Sequence, residues 1–276
     1  MTTFSITPVT PTIGAEFGNI DLRDTLSDET MADLERAFLQ WKVLFFRDQD
    51  IEIEDQKRLG SWFGELDIHP TTPKDRKNPE ALRIAENEEV RAHNNLWHSD
   101  VCFRLEPPLG SILRGIEIPP TGGDTLWANM EAAYAGLNDD IKERIDGAYA
   151  VNAWPVTWID LAMRKEGVTD REAFRRDNPD PEHPVVRTHP QTGNKSLYVN
   201  TAFTRRIVGM DQAESDELLA LLFRQAAIPE YQVRLRWQKN TIAFWDNRCT
   251  QHYAVADFFP QRRVMERITI CGDRPA

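Results

Sequence analysis

The sequence has no apolar run near the ~18 consecutive residues that a helical membrane span requires. Its longest apolar stretches, such as Val43-Leu44-Phe45-Phe46, have the length of a buried strand. Cysteine is scarce. Cys102, Cys249 and Cys271 are the only three in 276 residues and show no paired spacing. That excludes a disulfide framework and a zinc knuckle as the organising element, and all three are read as reduced core thiols. Positive charge is also short, with 33 Lys+Arg against 44 Asp+Glu and a formal net charge of -11. Such a balance speaks against nucleic acid and against a polybasic membrane attachment, since both rely on clustered cations. The opening residues Met1-Thr2-Thr3-Phe4-Ser5 lack the charged and apolar regions of a signal peptide, so a cytoplasmic location is expected. There is no internal repeat and no low-complexity tract.

What is present suffices for a core. Hydrophobic residues make up 41% and aromatics 9%, which argues against disorder. Short strands are expected over residues 4–22, broken by Pro8, Pro11 and Gly14. Ser27 caps a helix whose Met31, Leu34 and Phe38 share a face, with Asp28 and Glu29 suited to its first turn. A strand Lys42–Arg47 follows, then a helix from about Ile53 to Phe63 burying Leu59, Trp62 and Phe63. Residues 155–184 are dense in charge and carry Pro155, Pro179, Pro181 and Pro184. They read as a helical insertion or lid. His189-Pro190-Gln191-Thr192-Gly193 forms a hairpin turn before a strand Ser196–Asn200. A helix at about 213–227 shows a Leu face, and Val233, Leu235 and Trp237 then alternate inward ahead of a strand Thr241–Trp245. Short strands with added helices favour a single β-sandwich or barrel domain over 1–276.

Six histidines occur, and one is placed for chemistry: Trp97-His98-Ser99-Asp100. On a strand, residues two apart face the same side, so His98 and Asp100 converge. One imidazole, one carboxylate and a second, distant imidazole make a facial set for Fe(II) with three positions left open. His252 is the candidate third ligand, with a satisfied core histidine as its alternative. Arg263 and Arg267 lie four apart in a β-like run with Met265 between them. Two inward guanidiniums need anions to meet them, whether structural carboxylates or ligands.

These pieces together resemble the Fe(II)/2-oxoglutarate-dependent dioxygenases of the taurine dioxygenase family. The resemblance rests on Trp97-His98-Ser99-Asp100, Thr121-Gly122-Gly123-Asp124-Thr125-Leu126-Trp127, Trp245-Asp246-Asn247-Arg248, Thr250-Gln251-His252-Tyr253 and the Arg263/Arg267 run. It implies a mainly β fold, a double-stranded β-helix (jelly-roll) core with flanking α-helices. It implies that His98, Asp100 and His252 hold Fe(II), that Arg263 and Thr125 hold the 2-oxoglutarate co-substrate, and that O2 is consumed. Arg267 and His69 then anchor the acidic head of a small substrate, Asn94 meets its other end, and Phe103 and Phe203 form aromatic walls. His183 and His189 are read as structural. The family's activity implies hydroxylation of the carbon next to the sulfonate of a compound such as taurine, giving sulfite, an aldehyde, succinate and CO2. Family members are commonly homo-oligomers.

Two positions depart from the taurine pattern. Thr72 stands where a tyrosine is usual, and His93 stands where an aspartate precedes the asparagine matching Asn94. Both belong to the side that meets taurine's ammonium. Their loss opens the way to a sulfonate without an amine, an alkyl sulfate ester or an aryloxyalkanoate. A jelly-roll protein that only binds a small anion is the non-enzymatic alternative.

Overall fold

The computed structural model describes residues 4–69, 72, 77–89, 94–167 and 169–276. Its centre is an eight-stranded major sheet. In order across the sheet run Ser5–Pro8, Ala15–Gly18, Val43–Phe46, Ile242–Asp246, Gly110–Glu117, Arg263–Ile270 and Leu66–Asp67, and Ala81–Glu86 also pairs with Arg263–Ile270. Only Ala15–Gly18 and Val43–Phe46 pair in parallel among the described strands of this sheet. Facing it is a minor sheet, Gln232–Leu235, Thr125–Asn129 and Thr250–Ala254, in that order and antiparallel. This mainly β arrangement is the jelly-roll core that the resemblance implies.

The central strands Val43–Phe46 and Ile242–Asp246 are buried on both faces, which is why they read as near-continuous apolar runs, whereas Ser5–Pro8 at the edge is exposed. Val43, Phe45, Leu113, Ala243, Trp245 and Met265 point toward the minor sheet and pack with Trp127, Val233, Leu235 and Trp237. Their neighbours Leu44, Phe46, Ile112, Phe244 and Ile268 point the other way. Two helices cover that outer face. Asp28–Trp41 supplies Met31, Leu34 and Phe38, and Ile53–Phe63 supplies Leu59. Ser27 caps the first, its Oγ accepting from the Thr30 N–H. Trp62 differs from expectation, being 46% exposed on the far side of the second helix. A third helix, Gln212–Arg224, lays Leu218, Leu219 and Leu222 on the outside of the minor sheet near Ala128 and Met130.

Residues 155–184 contain the helices Val156–Glu166 and Arg171–Asp177. Ile159, Ala162, Met163 and Phe174 pack on Val101, Phe103, Trp154 and Tyr198, so the segment has its own apolar seat. Of the thiols, Cys102 and Cys249 are buried, but Cys271 is exposed just past the last strand, so it is not a core residue.

His183 is 1% exposed, and its Nε2–H donates to the Arg104 carbonyl at 2.9 Å. Burial pulls its pKa down to about 4, against the hydrogen bonds that favour the charged form. An unfolded chain takes up this proton near pH ~6.5, whereas the folded one resists until about 4. The unfolded state binds more protons between those values, so stability is lost as pH falls through that window. Replacing His183 with Gln is expected to flatten the acid limb of a urea-denaturation midpoint plotted from pH 6.5 to 4.

Candidate active site

The site forms where the minor sheet meets the segment carrying His98. His98 bridges His252 in both directions, with His98 N to His252 O at 3.1 Å and His252 N to His98 O at 2.8 Å. This bridge, rather than a strand of its own, places the two histidines side by side. The chain then turns: Ser99 Oγ donates to the Thr250 carbonyl at 2.9 Å, and Val101 adopts φ 53°, a left-handed value rare for a β-branched residue. His98 and Asp100 therefore converge through a bridge followed by a turn, and the alternation expected of a strand is not the cause. The two imidazole Nε2 atoms stand 4.0 and 3.9 Å from Asp100 Oδ1. For metal–ligand bonds of roughly 2.1 Å, such separations fall between those of adjacent and opposite ligands on one ion.

Asn247 fixes the turn. Its Oδ1 accepts from the Asp100 N–H at 2.6 Å, and its Nδ2 donates to the Asp100 and Pro108 carbonyls at 3.0 and 3.1 Å. The flanking Asp246 holds a second network. Arg248 donates to it through Nε at 2.9 Å and Nη2 at 2.7 Å, and His189 Nε2–H donates at 3.0 Å. His189 Nδ1 accepts the Gln191 and Thr192 backbone N–H groups. His189, Asp246 and Cys249 lie close enough together to suggest a second metal cluster. Both nitrogens of His189 and the Asp246 carboxylate are already engaged, however, so this group is a brace behind the site.

A cavity of about 530 Å³ opens in front of His98, Asp100 and His252. Thr125, Arg263, Arg267, His69, Asn94 and Phe203 all line it, as do His98, Asp100 and His252. Arg263, Met265 and Arg267 face it from a single strand at the two-residue spacing read from the sequence. Phe103 does not reach it. That ring is 0% exposed and sits behind the wall, 5.2 Å from Phe203 and 5.5 Å from Trp158. Thr72 is buried outside the lining, its N–H donating to the His69 carbonyl at 2.7 Å. His93 lies outside the described residues. Gly123, at φ 71°, lets the Arg263 side chain pass, for a Cβ there would sit 3.2 Å from Arg263 Cδ.

Comparison with known proteins decides the family. A family model described as "Taurine catabolism dioxygenase TauD, TfdA family" matches residues 5–269. The chain belongs to the TauD/TfdA family. It is 38% identical over 99% of its length to an "Alkylsulfatase" of Acinetobacter baylyi, of which 89% is covered. It is 36% identical over 97% to an "Alpha-ketoglutarate-dependent sulfate ester dioxygenase" of Pseudomonas putida, again covering 89%. The crystal structure of a "Putative Alpha-ketoglutarate-dependent Taurine Dioxygenase" from Burkholderia xenovorans superposes with a TM-score of 0.85 at 35% identity, over 99% of this chain and 94% of the other.

The protein is thus a 2-oxoglutarate-dependent non-haem iron dioxygenase that uses Fe(II), 2-oxoglutarate and O2. The donor set of this TauD/TfdA chain suits that ion. The Leu96 carbonyl, 2.7 Å from His98 Nδ1, can only accept, so the proton sits on Nδ1 and Nε2 is bare for a metal. Burial lowers the pKa of both His98 and His252, keeping the imidazoles neutral. Burial works against the Asp100 carboxylate, but the Arg267 guanidinium and the Ser111 hydroxyl beside it favour the ionised form and hold the group well below the usual range. Thr125 suits a carboxylate. Its Oγ1 already accepts from Trp237 Nε1–H at 2.9 Å, which leaves its own O–H to donate.

Several lining residues escaped the sequence reading. Leu82, Ile84 and Glu86 alternate on the strand Ala81–Glu86 and face the cavity together. The period of two was visible, but its link to the site was not. Trp158 comes from the helix Val156–Glu166. Asn247 was part of a recognised motif with no role attached. Replacing Asn247 with Ala is expected to weaken Mn(II) binding by at least about tenfold in titration calorimetry, as loss of outer supports does to metal sites. Far-ultraviolet circular dichroism should be unchanged.

Proposed function

We propose that His98, Asp100 and His252 hold Fe(II), that Arg263 and Thr125 take the distal carboxylate of 2-oxoglutarate, and that the enzyme oxidises an alkyl sulfate ester at the carbon bearing the sulfate. The observation that carries the substrate is the character of the cavity. Leu82, Ile84, Leu113, Trp158, Phe203 and Met265 make its walls apolar. Its two lining carboxylates, Glu86 and Asp100, are both paired to arginines, Arg263 and Arg267. Among the described residues no free acid remains there to receive an ammonium. A sulfate head with a hydrocarbon tail matches both properties. The names of the two sulfate-ester relatives agree with that reading.

The bound iron and 2-oxoglutarate supply the oxidant, with one atom of O2 entering succinate, the other entering the substrate carbon, and CO2 leaving. A hydroxylated sulfate ester then breaks its C–O bond to sulfate, so that R–CH2–OSO3⁻, 2-oxoglutarate and O2 become R–CHO, hydrogen sulfate, succinate and CO2. The chain's own part is placement, since an anchored head decides which carbon is oxidised. Arg267 and His69 are the anchors. Arg267 has a second task, because its Nη1 donates to both oxygens of Asp100 at 3.0 and 3.1 Å. The same side chain lines the cavity, where it is placed to meet the substrate's head. The segment from Pro155 to Arg164 lines the mouth and serves as the lid. Reaction in the cytoplasm accords with three free thiols.

A sulfonate such as taurine is the second reading. It uses the same anchors, and the name of the Burkholderia relative favours it. A panel of alkyl sulfates, taurine, alkyl sulfonates and phenoxyalkanoates, with succinate measured for each, separates the possibilities. Alkyl sulfates are expected to give the highest kcat/KM, with aldehyde and sulfate released in equal amounts to succinate. Sulfite from taurine at a higher kcat/KM would favour the second reading, and phenol release would contradict both. His69→Ala should raise the substrate KM about tenfold or more while leaving Mn(II) affinity in place.

A further inference from the structure

Arg263 and Glu86 stand opposite each other in the antiparallel pairing of Arg263–Ile270 with Ala81–Glu86. Arg263 Nη1 donates to Glu86 Oε2 at 3.3 Å, and the two side chains are 5% and 10% exposed. Both line the cavity. The guanidinium is not used up by this pair, because Nη1 alone donates to Glu86 while the side chain lines the cavity. The rest of the side chain is confined. Its Cδ passes Gly123, and its guanidinium lies 5.9 Å from the centre of the Phe258 ring. One corner of the fork is therefore committed to a carboxylate of the chain itself, while another corner stays available to an anion in the cavity.

We infer that Glu86 sets the affinity and selectivity for the co-substrate, by competing with the distal carboxylate of 2-oxoglutarate for Arg263. This rests on the reading of Arg263 as the anchor of that carboxylate. A lone guanidinium in a low-dielectric cavity attracts any carboxylate strongly, and leaving it unpaired is costly to the fold. Glu86 removes that cost. In exchange, the incoming carboxylate meets an ion pair rather than a free cation and sits near a like charge. The two carboxylates share one fork, and their mutual repulsion lowers the affinity below what Arg263 alone provides. A 2-oxo acid without a distal carboxylate never engages this balance. Glu86 therefore acts on one end of the co-substrate only.

The test uses the Mn(II)-loaded protein without O2, titrated with N-oxalylglycine and separately with 2-oxobutyrate, which lacks the distal carboxylate. Glu86→Gln keeps an acceptor for Arg263 and removes the charge. It is expected to lower the Kd for N-oxalylglycine by roughly five- to tenfold, with 2-oxobutyrate changed less than about twofold. Glu86→Asp draws the carboxylate back and should fall between Glu86→Gln and the parent; it also serves if Glu86→Gln fails to fold. Arg263→Gln should weaken N-oxalylglycine, and in that background Glu86→Gln should give a smaller gain, since only the repulsion between the carboxylates is then relieved. An unchanged or weaker N-oxalylglycine Kd in Glu86→Gln, or equal shifts for both acids, overturns the role of Glu86. If Arg263→Gln leaves N-oxalylglycine binding intact, the assignment of Arg263 itself has failed.

Discussion

A carboxylate buried at the edge of a jelly roll is the constraint on which this site depends. Asp100 is 5% exposed and must remain ionised to bind a metal. Burial alone would protonate it, since desolvation is the largest influence on the group. The fold answers with Arg267 at 3.0 and 3.1 Å and the Ser111 hydroxyl at 3.1 Å. Asn247 grips the peptide of the same residue. Ser111, Asn247 and Arg267 thus meet on one residue. Losing one partner leaves a buried charge poorly compensated, which is costlier than the pair is stabilising.

This constraint joins substrate and metal. Arg267 touches the carboxylate of the proposed metal ligand Asp100 and lines the cavity proposed for the substrate. A change at Arg267 therefore reports on both, and His69 is the cleaner probe of the substrate's head. The brace formed by Asp246, Arg248 and His189 supports the same geometry from behind by holding the turn that carries Asn247. The global charge of -11 says little about any of this. It describes the solvated surface, whereas the partner of the cavity is decided by two inward arginines and the site for a cation.

Local rules made part of the molecule legible. The Ser27 cap, the inward alternation of Val233, Leu235 and Trp237, and the two-residue spacing of Arg263, Met265 and Arg267 all depend on near neighbours. That His98, Asp100 and His252 come together was legible because their residue types and order are those of a family. Features that failed depend on tertiary placement. Trp62 falls on the uncovered side of its helix, and Phe103 is screened from the cavity by Phe203 and Trp158. His98 and Asp100 converge through a bridge to His252 and a left-handed Val101, neither of which has a local signature. Glu86 meets Arg263 only because two strands 177 residues apart pair in that register.

On the proposed reading, His98, Asp100 and His252 hold a single metal ion and the His189–Asp246–Cys249 group is a brace. Anaerobic equilibrium dialysis of the purified protein against Fe(II), followed by iron analysis, tests it directly. One ion per chain is expected, lost in Asp100→Ala and in His252→Ala and retained in Cys249→Ser. Two ions per chain, or one that survives both substitutions at the first cluster, would contradict the account.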